Sequence, residues 1–139
     1  MDLTDIYKNY SDIIFEAPSR FPRQQVINLE EYLKRTFPDS DLFIQNFADM
    51  VYIRNSLKNR YGDETNCFKK YGRQVDFAFD KLKYYQPDVG ISGPRNNEIN
   101  EPVHVVNYKG TDILVNGYHR TLYHLLCGNL TIKVYHLTI

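Results

Sequence analysis

The sequence predicts an α+β fold in one domain over residues 1–139, a small mixed sheet with helices joined to an extra helical N-terminal half. Three observations predict it. Apolar residues recur at helical spacing through much of residues 1–85. From Pro102 onward they fall instead in short runs bounded by turn residues. Residues 86–139 then read as loop, strand, hairpin, strand, turn, helix and strand, a compact β-β-α-β unit.

Taken in order, Ile6, Tyr10, Ile13 and Ile14 suit a short amphipathic helix, which Pro18 and Pro22 end. Gln24–Leu29 reads as a short strand or as the approach to a helix. Asn28 lies three residues before Glu31, the outline of a capping box. The helix that follows, Leu29–Arg35, carries acids early and bases late, as the macrodipole favours. Asp39 or Ser40 is expected to cap a second helix reaching Arg60, with Leu42, Phe43, Phe47, Met50, Val51, Ile53 and Leu57 as its apolar stripe. Arg54, Lys58 and Arg60 form its basic end, which reads either as a solvated helix terminus or as a contribution to anion or nucleic-acid binding. Tyr61–Thr65 is a loop. Its Asp63 and Glu64 are explained by turn chemistry as well as by a metal, and no further ligand accompanies them. Cys67–Arg73 is basic and aromatic, and Gln74–Tyr85 is expected to be helical. Gln86–Asn100 has the glycine, proline and asparagine content of a loop. Val103–Val106 is a strand, Asn107–Gly110 a four-residue hairpin turn, and Asp112 opens the partner strand.

The sequence is organised around Asp112–Leu126. Ile113, Leu114 and Val115 form a buried strand, Asn116-Gly117 a turn, and Leu122, Leu125 and Leu126 one face of a helix that Gly128 closes. A helix N-terminus offers unpaired N–H groups and partial positive charge. His119 and Arg120 add side-chain donors there, and arginine can grip phosphate through two parallel hydrogen bonds. A cation in the first helical turn is mildly unfavourable for the helix alone, so its presence fits an anion held at that end.

Gly117-Tyr118-His119-Arg120, after a strand and before a helix, resembles the Gly-x-His-Arg or Gly-x-Arg-Arg signature of the ParB/sulfiredoxin superfamily. Pro102-Val103-His104-Val105-Val106 resembles that family's preceding strand, and Leu130–Val134 the strand that follows the helix; the likeness spans roughly residues 98–138. It implies a nucleotide-phosphate pocket at Gly117, Tyr118, His119, Arg120 and Thr121, for a nucleoside di- or triphosphate with or without Mg²⁺. In ParB-like folds, loops upstream of the signature help to form the pocket. That makes Ser92 and Arg95 of Ser92-Gly93-Pro94-Arg95 further candidates, beside the plainer reading of a surface turn. Tyr118 stands where sulfiredoxins carry their reactive cysteine, which removes sulfinic-acid reduction by that family's mechanism. The chain is also expected to lack the helix-turn-helix and dimerisation domains of ParB proteins, since it ends just after the last strand.

His119 is the candidate general base, against the plainer reading of a structural hydrogen-bonding group. Asp112 or Glu98 is the candidate for an assisting carboxylate. His119 and His124 are five residues apart and do not share a helix face, so no metal site is expected from them. His104 and His136 read as half-exposed fillers on strands. A zero net charge argues against an extended duplex-binding surface, and with no carboxylate cluster it counts against a nuclease. No apolar run reaches transmembrane length, and the acidic start lacks the features of a signal peptide. Cys67 and Cys127 have no C-x-x-C spacing and read as free thiols, so a cytoplasmic protein is expected. Two functions follow. One is a nucleotide-binding protein or enzyme, whose reaction, if it has one, is phosphoryl transfer or hydrolysis. The other is a non-catalytic interaction protein, of phage, mobile-element or toxin type, that binds a protein or nucleic-acid partner.

Overall fold

The computed structural model describes residues 3–16, 25–91 and 99–139. Among them the architecture is mixed α+β, with five α-helices and two sheets. Helix α1 (Leu3–Tyr10) leads through a tight turn into β1 (Ile14–Glu16). Strand β2 (Gln25–Asn28) runs antiparallel to β1 and meets β4 (Asp88–Gly90) on its other edge, giving a three-stranded sheet. Asn28 ends β2 and caps α2 (Leu29–Thr36), accepting from the Glu31 N–H at 3.2 Å as the capping-box spacing predicts. Arg35 of α2 pairs with Asp12 beside β1, and that guanidinium holds the Asp12 carboxyl below its usual range.

The expected second helix begins later than the sequence suggests. Residues 41–44 run alongside 82–84, with Phe43 bridged to Tyr84. Helix α3 (Phe47–Tyr61) opens on Asn46, whose side chain accepts from the Ala48 N–H, and closes on left-handed Gly62. Asp39 and Ser40 cap nothing here, because an asparagine cap one residue before Phe47 is followed directly by the Met50, Ile53 and Leu57 face. A short helix α4 (Cys67–Tyr71) follows.

The predicted helix over 74–85 is instead strand β3 (Arg73–Ala78) and a 3₁₀ turn at Phe79–Lys81. Val75, Phe77 and Phe79 alternate with the smaller or polar Gln74, Asp76, Ala78 and Asp80, a period of two rather than 3.6, and this alternation lets β3 turn one face to the core. The N-terminal half is therefore not purely helical. It supplies β1, β2 and an edge strand of the main sheet.

The second sheet has the order β3-β7-β5-β6, with β5 (Val103–Tyr108), β6 (Thr111–Asn116) and β7 (Thr131–Thr138). Strands β5 and β6 form a hairpin, and β7 returns parallel to β5 after helix α5 (Tyr118–Leu126). The hairpin turn has two residues, not four. Lys109 and Gly110 both take positive φ, 52° and 81°, as a twisted two-residue turn requires, and so Asn107 and Tyr108 stay in the strand. One face of this sheet packs Val103, Val105, Leu114, Ile132 and Val134 against α2, α5 and the first sheet. The other packs Val106, Ile113 and Leu137 beneath α3 and α4.

His104 falls on the α3–α4 side. Its ring stacks on Phe68 at 4.4 Å, and its buried Nδ1 has no hydrogen-bond partner among the described residues. Burial, aided by the nearby Arg120 charge, pushes its pKa down from 6.5 to about 4. The unfolded chain then takes up a proton near pH 6.5 that the folded chain refuses until about pH 4, so stability falls as pH drops through that window. His104→Phe keeps the stack and removes the titration. Urea unfolding of this variant should lose less free energy than wild type between pH 6.5 and about 4; an equal loss in both proteins would assign the acid sensitivity to other groups.

Candidate phosphate-binding junction

Strand β6 passes into α5 through Gly117, which has φ 99° in the left-handed region. A Cβ built on it would lie 2.5 Å from Val103 Cγ1 and 2.8 Å from Val103 Cβ. Glycine is therefore needed twice, for the torsion and for the close approach of the Val103 side chain. No side chain caps this end of α5 among the described residues. The amides of Tyr118, His119 and Arg120 precede the first intrahelical donor, Thr121, which bonds the Gly117 carbonyl at 2.9 Å.

The predicted site residues divide at this point. Tyr118 turns its ring into the core. Its hydroxyl donates to the Leu114 carbonyl at 2.7 Å and accepts from the Tyr85 N–H at 2.9 Å, and burial drives the phenol pKa well above the usual value. Thr121 is buried as well and donates its hydroxyl back to the Gly117 carbonyl at 2.9 Å. These two side chains build the junction from the inside and leave only their backbone at its mouth.

His119 is the exposed side chain of the first turn. Its Nδ1 lies 3.2 Å from the Gly90 carbonyl at the end of β4. A carbonyl can only accept, so Nδ1 carries the proton, and in the neutral ring Nε2 is left as an acceptor. Arg120 takes another course. Its side chain is only 13% exposed, and Nη1 donates to the Glu101 and Pro102 carbonyls at 3.1 and 3.4 Å, with the Glu101 carboxylate 3.5 Å away. Its Nη2 lies over Gly117, 3.3 Å from where a Cβ would stand. The expectation that His119 and Arg120 close together on one anion is therefore not matched by their hydrogen bonds: one ring leans on β4, and one guanidinium pins the chain entering β5. Ser92 and Arg95 lie outside the described residues, as does Glu98.

Asp112 is not part of this junction. It sits about 16 Å of strand from Gly117. Its Oδ1 accepts from His136 Nε2 at 2.7 Å and from Asn107 Nδ2 at 3.0 Å. His136 stacks on Phe77 and is no filler, since its partner lies on β6, across the intervening strand β5. The sequence hides this pair because 24 residues separate its members. His124, farther along α5, is also committed. Nε2 donates to the Ile99 carbonyl at 2.8 Å, and Nδ1 accepts from Asn129 Nδ2 at 2.8 Å. Beside it opens a cleft of about 370 Å³ between Glu101, Asp76, Lys133 and Asn129, whose lining does not include Gly117, His119 or Arg120. Among the described residues, no three His, Cys, Asp or Glu side chains are grouped to hold a metal ion. No helix among them is long and apolar enough to cross a membrane.

Comparison with protein-family models, with curated proteins and with solved structures finds no match for this chain.

The double requirement at Gly117 is measurable. Gly117→Ala should cost about 3 kcal/mol, combining the left-handed torsion with overpacking against Val103. In a double-mutant cycle with Val103→Ala, about 1 kcal/mol of that cost should be recovered in urea unfolding, because the Cγ1 contact is relieved while the Cβ contact and the torsion remain. Strict additivity would show that Val103 is not what excludes a side chain.

Proposed function

We propose that this chain binds the phosphates of a nucleoside di- or triphosphate at the N-terminus of α5. The observation that supports the reading is the uncapped start of α5 on left-handed Gly117, with His119 exposed beside it. The amides of residues 118–120 supply donors, and protonation of His119 at Nε2 adds a charged one. The likeness of Gly117-Tyr118-His119-Arg120 to the ParB/sulfiredoxin signature supports the same ligand class, with Mg²⁺ as an accompanying ion. Arg120 serves as a positioning residue that holds the β5 entry against α5 and lends its positive charge to the junction. His119 is the proton-transfer group of a hydrolysis or phosphoryl transfer at this place.

The engagement of Arg120 by two backbone carbonyls favours a second reading, a non-catalytic protein that binds a macromolecular partner. Calorimetric titration with ADP and ATP, with and without Mg²⁺, separates the two. On the first reading either nucleotide binds and raises Tm, by about 2.7 kcal/mol of stabilisation at a hundredfold excess over Kd. His119→Ala should weaken binding about tenfold, with only about 1 kcal/mol of stability lost with the Gly90 contact. No heat and no thermal shift with any of these ligands would remove the nucleotide reading.

A further inference from the structure

The neutral balance of the chain conceals a division. Residues 50–73 hold six basic side chains, Arg54, Lys58, Arg60, Lys69, Lys70 and Arg73, against Asp63 and Glu64, so the remainder carries an excess of four negative charges. All six are exposed, and they lie on α3, α4 and the first residue of β3. Among the described residues, Lys58, Lys69 and Arg73 have no acidic partner within salt-bridge distance.

Tyrosines mark both ends of this face. Near the start of α3, Tyr52 is 57% exposed and lies 5.6 Å from Tyr108 of the hairpin, whose ring carries the Lys109 ammonium at 5.2 Å. At its end, Tyr61 stacks at 5.2 Å on Tyr71, itself 52% exposed and carrying the Lys70 ammonium at 5.2 Å. The same arrangement thus recurs, two rings with a lysine over one of them, on opposite flanks of α3 and about 14 Å apart along its axis. Core packing does not account for it, because Tyr52 and Tyr71 leave more than half of their surface in water and large exposed apolar rings are otherwise few here. The acids nearby are tied to their own loops and keep their charge. Asp63 accepts from the Asn66 and Thr65 N–H groups, which hold its carboxyl below the usual range, and Asp49 accepts from Asn46.

We infer that the face formed by α3, α4 and the Lys109 turn binds single-stranded nucleic acid, through base stacking on Tyr52 and Tyr71 and phosphate contacts to Lys58, Lys69, Lys70 and Arg73, since Arg54 and Arg60 already donate to the Tyr85 hydroxyl and the Thr138 carbonyl. An unpaired base can lie on an exposed phenol ring, whereas the bases of a duplex are already stacked on one another. A backbone that carries one charge per nucleotide matches a track of cations set between rings. An acidic protein would satisfy the lysines and leave the two rings without a use. This surface is separate from the N-terminus of α5 and does not depend on nucleotide binding there.

Fluorescence anisotropy with labelled single-stranded DNA and RNA of mixed sequence tests the assignment. Binding should be saturable and should weaken roughly 50-fold between about 50 and 200 mM salt if four cations reach phosphates. Tyr52→Ala and Tyr71→Ala should each weaken it about tenfold. Lys69→Gln with Lys70→Gln should lower the salt slope by about 1.4. Lys34→Gln, on α2, should change neither quantity, and circular dichroism should show every variant folded. Saturating ATP should not displace the oligonucleotide, which keeps this surface distinct from the α5 junction. Absence of salt-sensitive binding would overturn the inference. So would an equal loss with Lys34→Gln, tighter binding of duplex, or competition by polyglutamate at equal strength with no effect of the tyrosine changes.

Discussion

The approach of the Gly117 backbone to Val103 is the constraint on which the junction rests. A helix that begins directly off a strand normally needs room for its first side chain. Here the hydrogen of glycine takes that place, with Val103 on one side and the Arg120 guanidinium on the other. Because the turn is so tight, α5 starts close against β5, and Arg120 can reach back to the carbonyls of Glu101 and Pro102. The same closeness puts the Tyr118 hydroxyl between Leu114 and Tyr85, where it satisfies one buried acceptor and one donor. Loss of the glycine would thus disturb two hydrogen-bond sets as well as one torsion.

Around that point the fold assigns polar groups to backbone atoms. Arg120 holds the chain as it enters β5, His124 holds it at Ile99, and His119 rests on the end of β4. Together these contacts tie both flanks of the segment between β4 and β5 to successive turns of one helix. Charge-assisted donors to carbonyls are stronger than neutral ones, so the Arg120 contact is the firmest of the three. His136 and Asp112 do comparable work at the other end of the sheet, joining β7 to β6 across β5. A histidine that faces no such acceptor is the exception, and His104 meets burial by giving up its proton.

The two faces of the main sheet have different surroundings. The side covered by α2, α5 and the first sheet contains the larger core and the α5 junction. The side covered by α3 and α4 has the smaller core, flanked by tyrosines and by lysine and arginine. A whole-chain charge of zero says nothing of this separation, since the excess of one face cancels that of the rest.

The sequence by itself determined the local features whose causes are local. The Asn28–Glu31 cap, the turn at Gly117, the α5 stripe of Leu122, Leu125 and Leu126, and the β5-β6-α5-β7 order follow from spacings within a few residues. It misled where a short segment was consistent with two periods, as at Val75–Phe79, and where an isolated short strand draws its support from partners far along the chain, as β4 does from β2. Only the tertiary structure decided what each side chain at the junction does. Whether Arg120 meets an anion or a carbonyl, and whether His136 fills space or pairs with Asp112, depends on which strand lies beside it. That neighbour is chosen by packing across the whole sheet, which no short stretch of sequence contains.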